Sequence, residues 1–150
     1  LKGNSLHWLE NYQGDLFVFG NNEHLFSTKN IVMFHELSGQ FFDQLQQGKI
    51  TSALIAEQLQ LSDYFSGFLI SGHSFQPKGY SVNAISGQNY FTLHITPELQ
   101  SSYLSFESNL ESDLILPFIT NISALFNPQR AYLMNLKTID SLLDVDIEVL

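Results

Sequence analysis

The sequence predicts a two-layer α+β sandwich, an antiparallel sheet of about eight strands with helices on one face. Three observations predict it. A chain of 150 residues with 44% hydrophobic content is large enough for one domain with a sizeable core. Thirteen Phe and six Tyr supply bulky side chains that suit a pleated, half-buried surface. Finally, strand-like segments are joined by hairpin-length connections, with the helical segments grouped between strand sets. Short connections favour antiparallel pairing, and grouped helices favour one covered face.

The elements follow in order. Leu6–Glu10 and Asp15–Phe19 flank Asn11-Tyr-Gln-Gly14 and read as a hairpin of short apolar strands. A polar loop, Asn21–Ser27, comes next. Thr28 can cap a helix running to about Gln47, with Ile31, Phe34, Leu37, Phe41, Phe42 and Leu45 at helical spacing and Gly48 as its stop. Thr51 offers a cap for a second helix over Ser52–Leu59. From Gly67 the period becomes that of strands: Phe68–Ser74, Tyr80–Ile85, Tyr90–Thr96 and Tyr103–Ser108, the middle two joined by Ser86-Gly-Gln-Asn89. Asp113 begins a third helix to Phe126, with Pro117 in or near its first turn. Ala131–Leu136 and Val145–Leu150 supply two further strands. No repeat or long linker divides the chain, so residues 1–150 read as a single domain.

Charge and composition exclude several functions. Six basic against fifteen acidic residues give a net charge of -9, the wrong sign for a phosphate-binding surface, so no nucleic-acid partner is expected. With no Cys there is neither disulfide, thiolate metal site nor thiol nucleophile. No apolar run is long enough to span a membrane and no signal peptide is visible, so the cytoplasm is the default location. The chain opens on Leu1 rather than Met, which fits a cut chain, a removed leader or a domain of something longer. The histidines at 7, 24, 35 and 73 show no zinc-ligand spacing, and no metal is expected. Gly79 and Gly87 make no phosphate loop, and Ser71-Gly-His-Ser74 is not a nucleophile elbow.

The reactive groups instead gather on three successive strands. Phe75-x-Pro-x-Gly-Tyr-Ser-x-Asn83, Thr92-x-His-Ile-Thr-Pro-Glu98 and Ser102-Tyr-x-Ser-Phe-Glu-x-Asn109 carry an aromatic ring, a serine, a histidine and two carboxylates. On strands that alternate inside and outside, such a concentration suggests a site. These three clusters resemble the signature region of eukaryotic-type S-adenosylmethionine decarboxylase. The resemblance covers most of this chain and the C-terminal half of the family's polypeptide. It implies two similar α/β halves whose sheets pack face to face, and decarboxylation of S-adenosylmethionine by a protein-bound pyruvoyl group that acts as electron sink. The pyruvoyl would arise by self-cleavage at a serine in the other half, so it is not generated within this chain. Glu107-Ser108 aligns with an uncleaved strand.

The resemblance assigns roles residue by residue. Phe75 falls where a ring stacks on adenine, and Glu98 where a carboxylate accepts from both ribose hydroxyls. Ser81 and His94 match a catalytic pair that supports self-processing and orients the reacting end of the substrate. Glu107 matches a carboxylate near a polyamine-binding patch. The other acids of that patch fall near Ser27 and Ile31, and Lys78 replaces an uncharged residue, so Glu107 reads as a remnant.

The sequence therefore points to the substrate-binding half of such a decarboxylase, serving spermidine and spermine synthesis. S-adenosylmethionine and a companion half or chain would be its partners, and the isolated chain would be inactive. A non-catalytic relative, acting as a regulatory partner or as an adenosine-nucleoside binding module, is the alternative. The uncovered sheet face is expected to be apolar and to pair with the companion half or with another copy of this chain.

Overall fold

Alternation organises the sheet. In a computed structural model, which describes residues 4–6, 16–18, 28–76, 78–139 and 142–150, the stretch Thr28–His35 is a strand with every second residue buried. The elements in chain order are β1 (Asn4–Leu6), β2 (Leu16–Val18), β3 (Thr28–His35), α1 (Gln40–Gln46), α2 (Ser52–Gln58), α3 (Leu61–Tyr64), β4 (Leu69–Ser74), β5 (Tyr80–Ser86), β6 (Asn89–Thr96), β7 (Tyr103–Ser108), α4 (Ser112–Phe126), β8 (Arg130–Ile139) and β9 (Leu142–Val149). Seven strands form one antiparallel sheet in the order β4-β5-β6-β7-β3-β8-β9, and β1 pairs with β2 in a separate ribbon. The α+β sandwich stands, with seven strands in its sheet where about eight were expected.

The helix expected from Thr28 to Gln47 is corrected to a strand followed by a short helix. Thr28, Asn30, Val32 and Phe34 point inward while their neighbours are only half-buried. Ser38-Gly39 then breaks the chain, Gly39 taking φ 103°, and α1 starts at Gln40. The misleading signal was Phe34, Leu37 and Phe41, whose spacing runs across that break. The expected stop at Gly48 holds: with φ 63° it lets Gly48 N–H bond Leu45 O at 3.0 Å and Lys49 N–H bond Gln44 O at 3.2 Å, closing the last turn. Thr51 also caps as expected, its Oγ1 accepting from Leu54 N–H at 3.3 Å.

The first hairpin is found as the pairing of Leu6 with Leu16, displaced toward the N-terminus on its first strand. Its turn, Asn11–Gly14, and the loop Asn21–Ser27 lie outside the described residues. Pro117 stands in the second turn of α4, since Glu111 is the N-cap; lacking an N–H, it cannot donate to the carbonyl of exposed Asp113.

All helices serve one face. Val32, Phe34, Tyr80, Val82, Phe91, Leu93, Leu104, Phe106 and Leu133 from the strands meet Phe41, Ile55, Leu59, Phe65, Ile115, Phe118 and Phe126 from the helix layer in one buried cluster. Rings lock it: Phe65 lies 4.1 Å from Phe91 and 5.0 Å from Phe118, and Phe106 lies 5.2 Å from Phe118. A polar clamp fixes the start of α4 on the sheet. Ser112 Oγ donates to Asn30 Oδ1 at 3.1 Å and accepts from Asn135 Nδ2 at 3.0 Å. Buried Asn30 is thereby satisfied rather than orphaned.

The opposite face differs from the apolar surface expected. Cross-strand partners share a face, so the register places His73, Ser81, His94, Ser105, Met33, Tyr132 and Val149 in one row across β4-β5-β6-β7-β3-β8-β9. The next row is Ser71, Asn83, Thr92, Glu107, Ile31, Met134 and Ile147. Both rows are polar from β4 to β7 and apolar from β3 to β9. No helix among the described residues packs on them.

Candidate functional site

Ser81 and His94 come together because β5 and β6 are joined by the two-residue turn Gly87-Gln88, Gly87 taking φ 61°. That turn sets Ser81 directly opposite His94. Ser81 Oγ lies 2.6 Å from His94 Nδ1, and Thr92 Oγ1 lies 3.2 Å from His94 Nε2. Both ring nitrogens therefore have hydroxyl partners, and either neutral tautomer is satisfied by turning the two hydroxyls. Chemically, this is a serine hydroxyl joined to a base that can take its proton, the base being oriented by a third group. Thr92 was not singled out in the sequence, although it stands two residues before His94 on the same strand and so on the same face.

Phe75 follows β4 with its ring 48% exposed. Its N–H bonds Gly79 O at 3.0 Å, which closes the β4–β5 connection. The ring meets that of His73 edge to face, with centroids 4.8 Å apart and an interplanar angle of 79°. Because Tyr80 pairs with Ile95, the Phe75–Gly79 turn stands at the same sheet end as the Thr96-Pro97-Glu98 exit from β6. Glu98 is exposed there, after buried Pro97. Lys78, in the Phe75–Gly79 turn, is also exposed.

Glu107 lies one row over, opposite Thr92. Its Oε1 accepts from Tyr90 Oη at 2.7 Å and faces Lys29 Nζ at 2.9 Å. Burial, and then the Glu107 hydrogen bond and charge, push the Tyr90 phenol well above its ordinary range. Neither Tyr90 nor Lys29 was foreseen as a partner.

At the same sheet end, His35 lies 5.2 Å from the Tyr103 ring and 6.1 Å from Tyr132. Burial first, and then the Arg130 charge, lower its pKa, while Glu36 opposes them. Two concavities, of about 710 Å³ between α1, α2 and α4 and about 210 Å³ beside Glu36, Leu99 and Ser102, include none of Phe75, Ser81, His94 or Glu107. Ser81, His94 and Glu107 stand on an open sheet face instead, with Phe75 and Glu98 at its end.

A two-layer α+β sandwich bearing a serine–histidine pair on its helix-free face defines the class. Residues 19–143 match the family model described as adenosylmethionine decarboxylase. The S-adenosylmethionine decarboxylase proenzyme of Xenopus laevis is 31% identical over 102 residues, covering 66% of this chain and 30% of that protein. Among solved structures, the Trypanosoma brucei AdoMetDC-delta26 monomer superposes with a TM-score of 0.63 at 24% identity, over 76% of this chain and 47% of that one. The adenosylmethionine decarboxylase from Aquifex aeolicus superposes with a TM-score of 0.51 at 12% identity, over 83% of this chain and 89% of that one. This chain belongs to the adenosylmethionine decarboxylase family. It spans less than a third of the length of the curated relatives it matches.

Proposed function

We propose that this chain is the substrate-binding, C-terminal half of a pyruvoyl-dependent S-adenosylmethionine decarboxylase whose pyruvoyl-bearing segment is supplied by another segment or chain. The observation that carries the reading is the Ser81–His94 pair at 2.6 Å on the uncovered face of a family member's sheet. The curated relatives, named as proenzymes, are also more than three times as long as the matched stretch.

The side chains on that face fit a pyruvoyl group. Ser81, Thr92, His94 and Ser105 offer hydroxyls and an imidazole in adjoining rows, and Ser81 with His94 would hold its carbonyl oxygens. When bound, a pyruvoyl group supplies the electron sink for the departing carboxylate. The remaining roles belong to this chain. Phe75 offers adenine a ring face at the sheet end, and Glu98 accepts from the ribose hydroxyls. His94 takes a proton from Ser81 Oγ or returns it, with Thr92 fixing the ring. Glu107 reads as a remnant of a polyamine site, because Lys29 and Tyr90 already answer its carboxylate within the chain.

A companion half would seat on Met33, Tyr132, Met134, Ile147 and Val149 and close the polar rows from above, excluding water from the reacting groups. Such an enzyme would act in the cytoplasm and feed aminopropyl transfer to spermidine and spermine. The non-catalytic alternative, a regulatory partner or nucleoside-binding module, draws on the same short span of the relatives.

Mass spectrometry of the protein purified from its source tests the reading. The expected result is a second chain ending in pyruvoyl, with release of labelled carbon dioxide from carboxyl-labelled S-adenosylmethionine. Release by this chain alone would contradict the need for a companion. An assembled protein without pyruvoyl that still binds the nucleoside would favour the non-catalytic alternative.

A further inference from the structure

His73 is an exposed side chain on an edge strand, where burial gives no reason for an aromatic ring. It does stand two residues before Phe75, so both side chains leave the chain on the same face. Their rings meet edge to face at 4.8 Å and 79°. Its cross-strand partner is Ser81, which places it in the row that continues to His94. On its own row and strand it is flanked by Ser71, Ser81 and Phe75, with no carboxylate among them.

We propose that His73 is a positioning residue for the Phe75 ring and, through it, for the adenine of the ligand. This rests on the reading of Phe75 as the adenine-stacking side chain. A half-exposed phenylalanine must surrender rotamer freedom when a ligand stacks on it, at a cost that opposes binding. The His73 edge-to-face contact holds the ring beforehand, so less freedom is lost on binding. Imidazole suits an exposed strand because it offers an aromatic edge to Phe75 while its nitrogens remain hydrated. Backbone closure by the Phe75–Gly79 hydrogen bond fixes where the ring emerges, and His73 fixes which way it faces.

The test is a double-mutant cycle in the assembled protein. Calorimetric titration with methylthioadenosine measures affinity, and labelled carbon dioxide release separates KM from kcat. Phe75→Ala should weaken binding about three- to tenfold, consistent with the loss of an aromatic contact. His73→Ala should weaken it about two- to fivefold and raise KM at unchanged kcat. His73→Phe, which keeps the ring edge, should stay within about twofold of the parent protein. Adding His73→Ala to Phe75→Ala should cost nothing further, because His73 acts through that ring. Unchanged affinity in His73→Ala while Phe75→Ala is impaired would overturn the role of His73 alone. So would a loss in His73→Phe equal to that in His73→Ala. Unchanged affinity in Phe75→Ala would overturn the adenine-stacking reading itself.

Discussion

The two faces of the sheet are built from the same strands, residue by residue in alternation, and obey different rules. On the helix side, Val32, Phe34, Val82, Phe91, Leu93, Leu104 and Phe106 are all fully buried. One residue along each strand, Ile31, Ser81, Thr92, His94, Ser105 and Glu107 look the other way. Packing accounts for every member of the first set. It accounts for almost none of the second, where a hydroxyl and an imidazole are held 2.6 Å apart beside solvent. That contrast teaches how far packing dictates a strand's residues, and where on the same strand it stops doing so.

The largest effect that sharpens this contrast is in the helix-covered face. Phe106→Ala removes a ring touching Phe65, Phe91 and Phe118 and should cost about 3–5 kcal/mol in chemical denaturation. A cost below about 1 kcal/mol would mean that this face is not the core. Gly72→Ala comes next. A Cβ there would run into the hydroxyl of buried Tyr80, whose ring fills the space above the glycine, so the variant should lose roughly 1–3 kcal/mol by overpacking. On the open face, Glu98→Gln should leave the denaturation midpoint unchanged and weaken methylthioadenosine binding in the assembled protein by about three- to tenfold.

The smallest effect is one of pH. Burial and Arg130 lower the pKa of His35 below the ordinary 6.5, so the unfolded chain binds that proton more readily than the folded one. The stability contributed by neutral His35 is complete above pH 6.5 and is lost as pH falls through the lowered folded value. Denaturation midpoints should fall from about pH 7 to about pH 5, and His35→Gln should flatten that slope. An unchanged slope in the variant would assign the effect elsewhere. Tyr80 and Tyr90 act at the other limit: burial raises both, so the neutral phenols stabilise the fold up to about pH 10 and that contribution is lost at higher pH.

Much of this was legible in the sequence because alternation is a local signal. The strands from Tyr80 to Ser108 and the caps at Thr51 and Gly48 are written in adjacent residues. Ser81 and His94 were legible as candidates through the resemblance of the motifs that carry them, and the turn between their strands then sets them opposite each other. What failed was the stretch from Thr28 to His35, where Phe34, Leu37 and Phe41 satisfied a helical period by coincidence across the Ser38-Gly39 break. Thr92, Lys29, Tyr90 and His73 were missed for other reasons. For Thr92 and His73, two residues before His94 and Phe75, alternation signalled a shared face but not the contact itself. For Lys29 and Tyr90 the contacts depend on which residues face each other across strands, and strand order is not written locally, β3 pairing with the distant β7 and β8. The apolar face expected on the open side was half wrong for the same reason, since the polar rows gather only once β4 to β7 are aligned.

The central claim, that the helix-free face carries chemistry while the covered face carries stability, is tested most directly by one paired measurement. Labelled carbon dioxide release and the denaturation midpoint would be recorded together for the assembled protein and its His94→Ala variant, with the pyruvoyl content of each checked by mass. His94→Ala should lower turnover or pyruvoyl formation by about a hundredfold or more while leaving the midpoint near that of the parent, because the imidazole is exposed and its loss leaves the core intact. Full turnover and pyruvoyl formation in that variant, or a loss of activity matched by unfolding, would contradict the account.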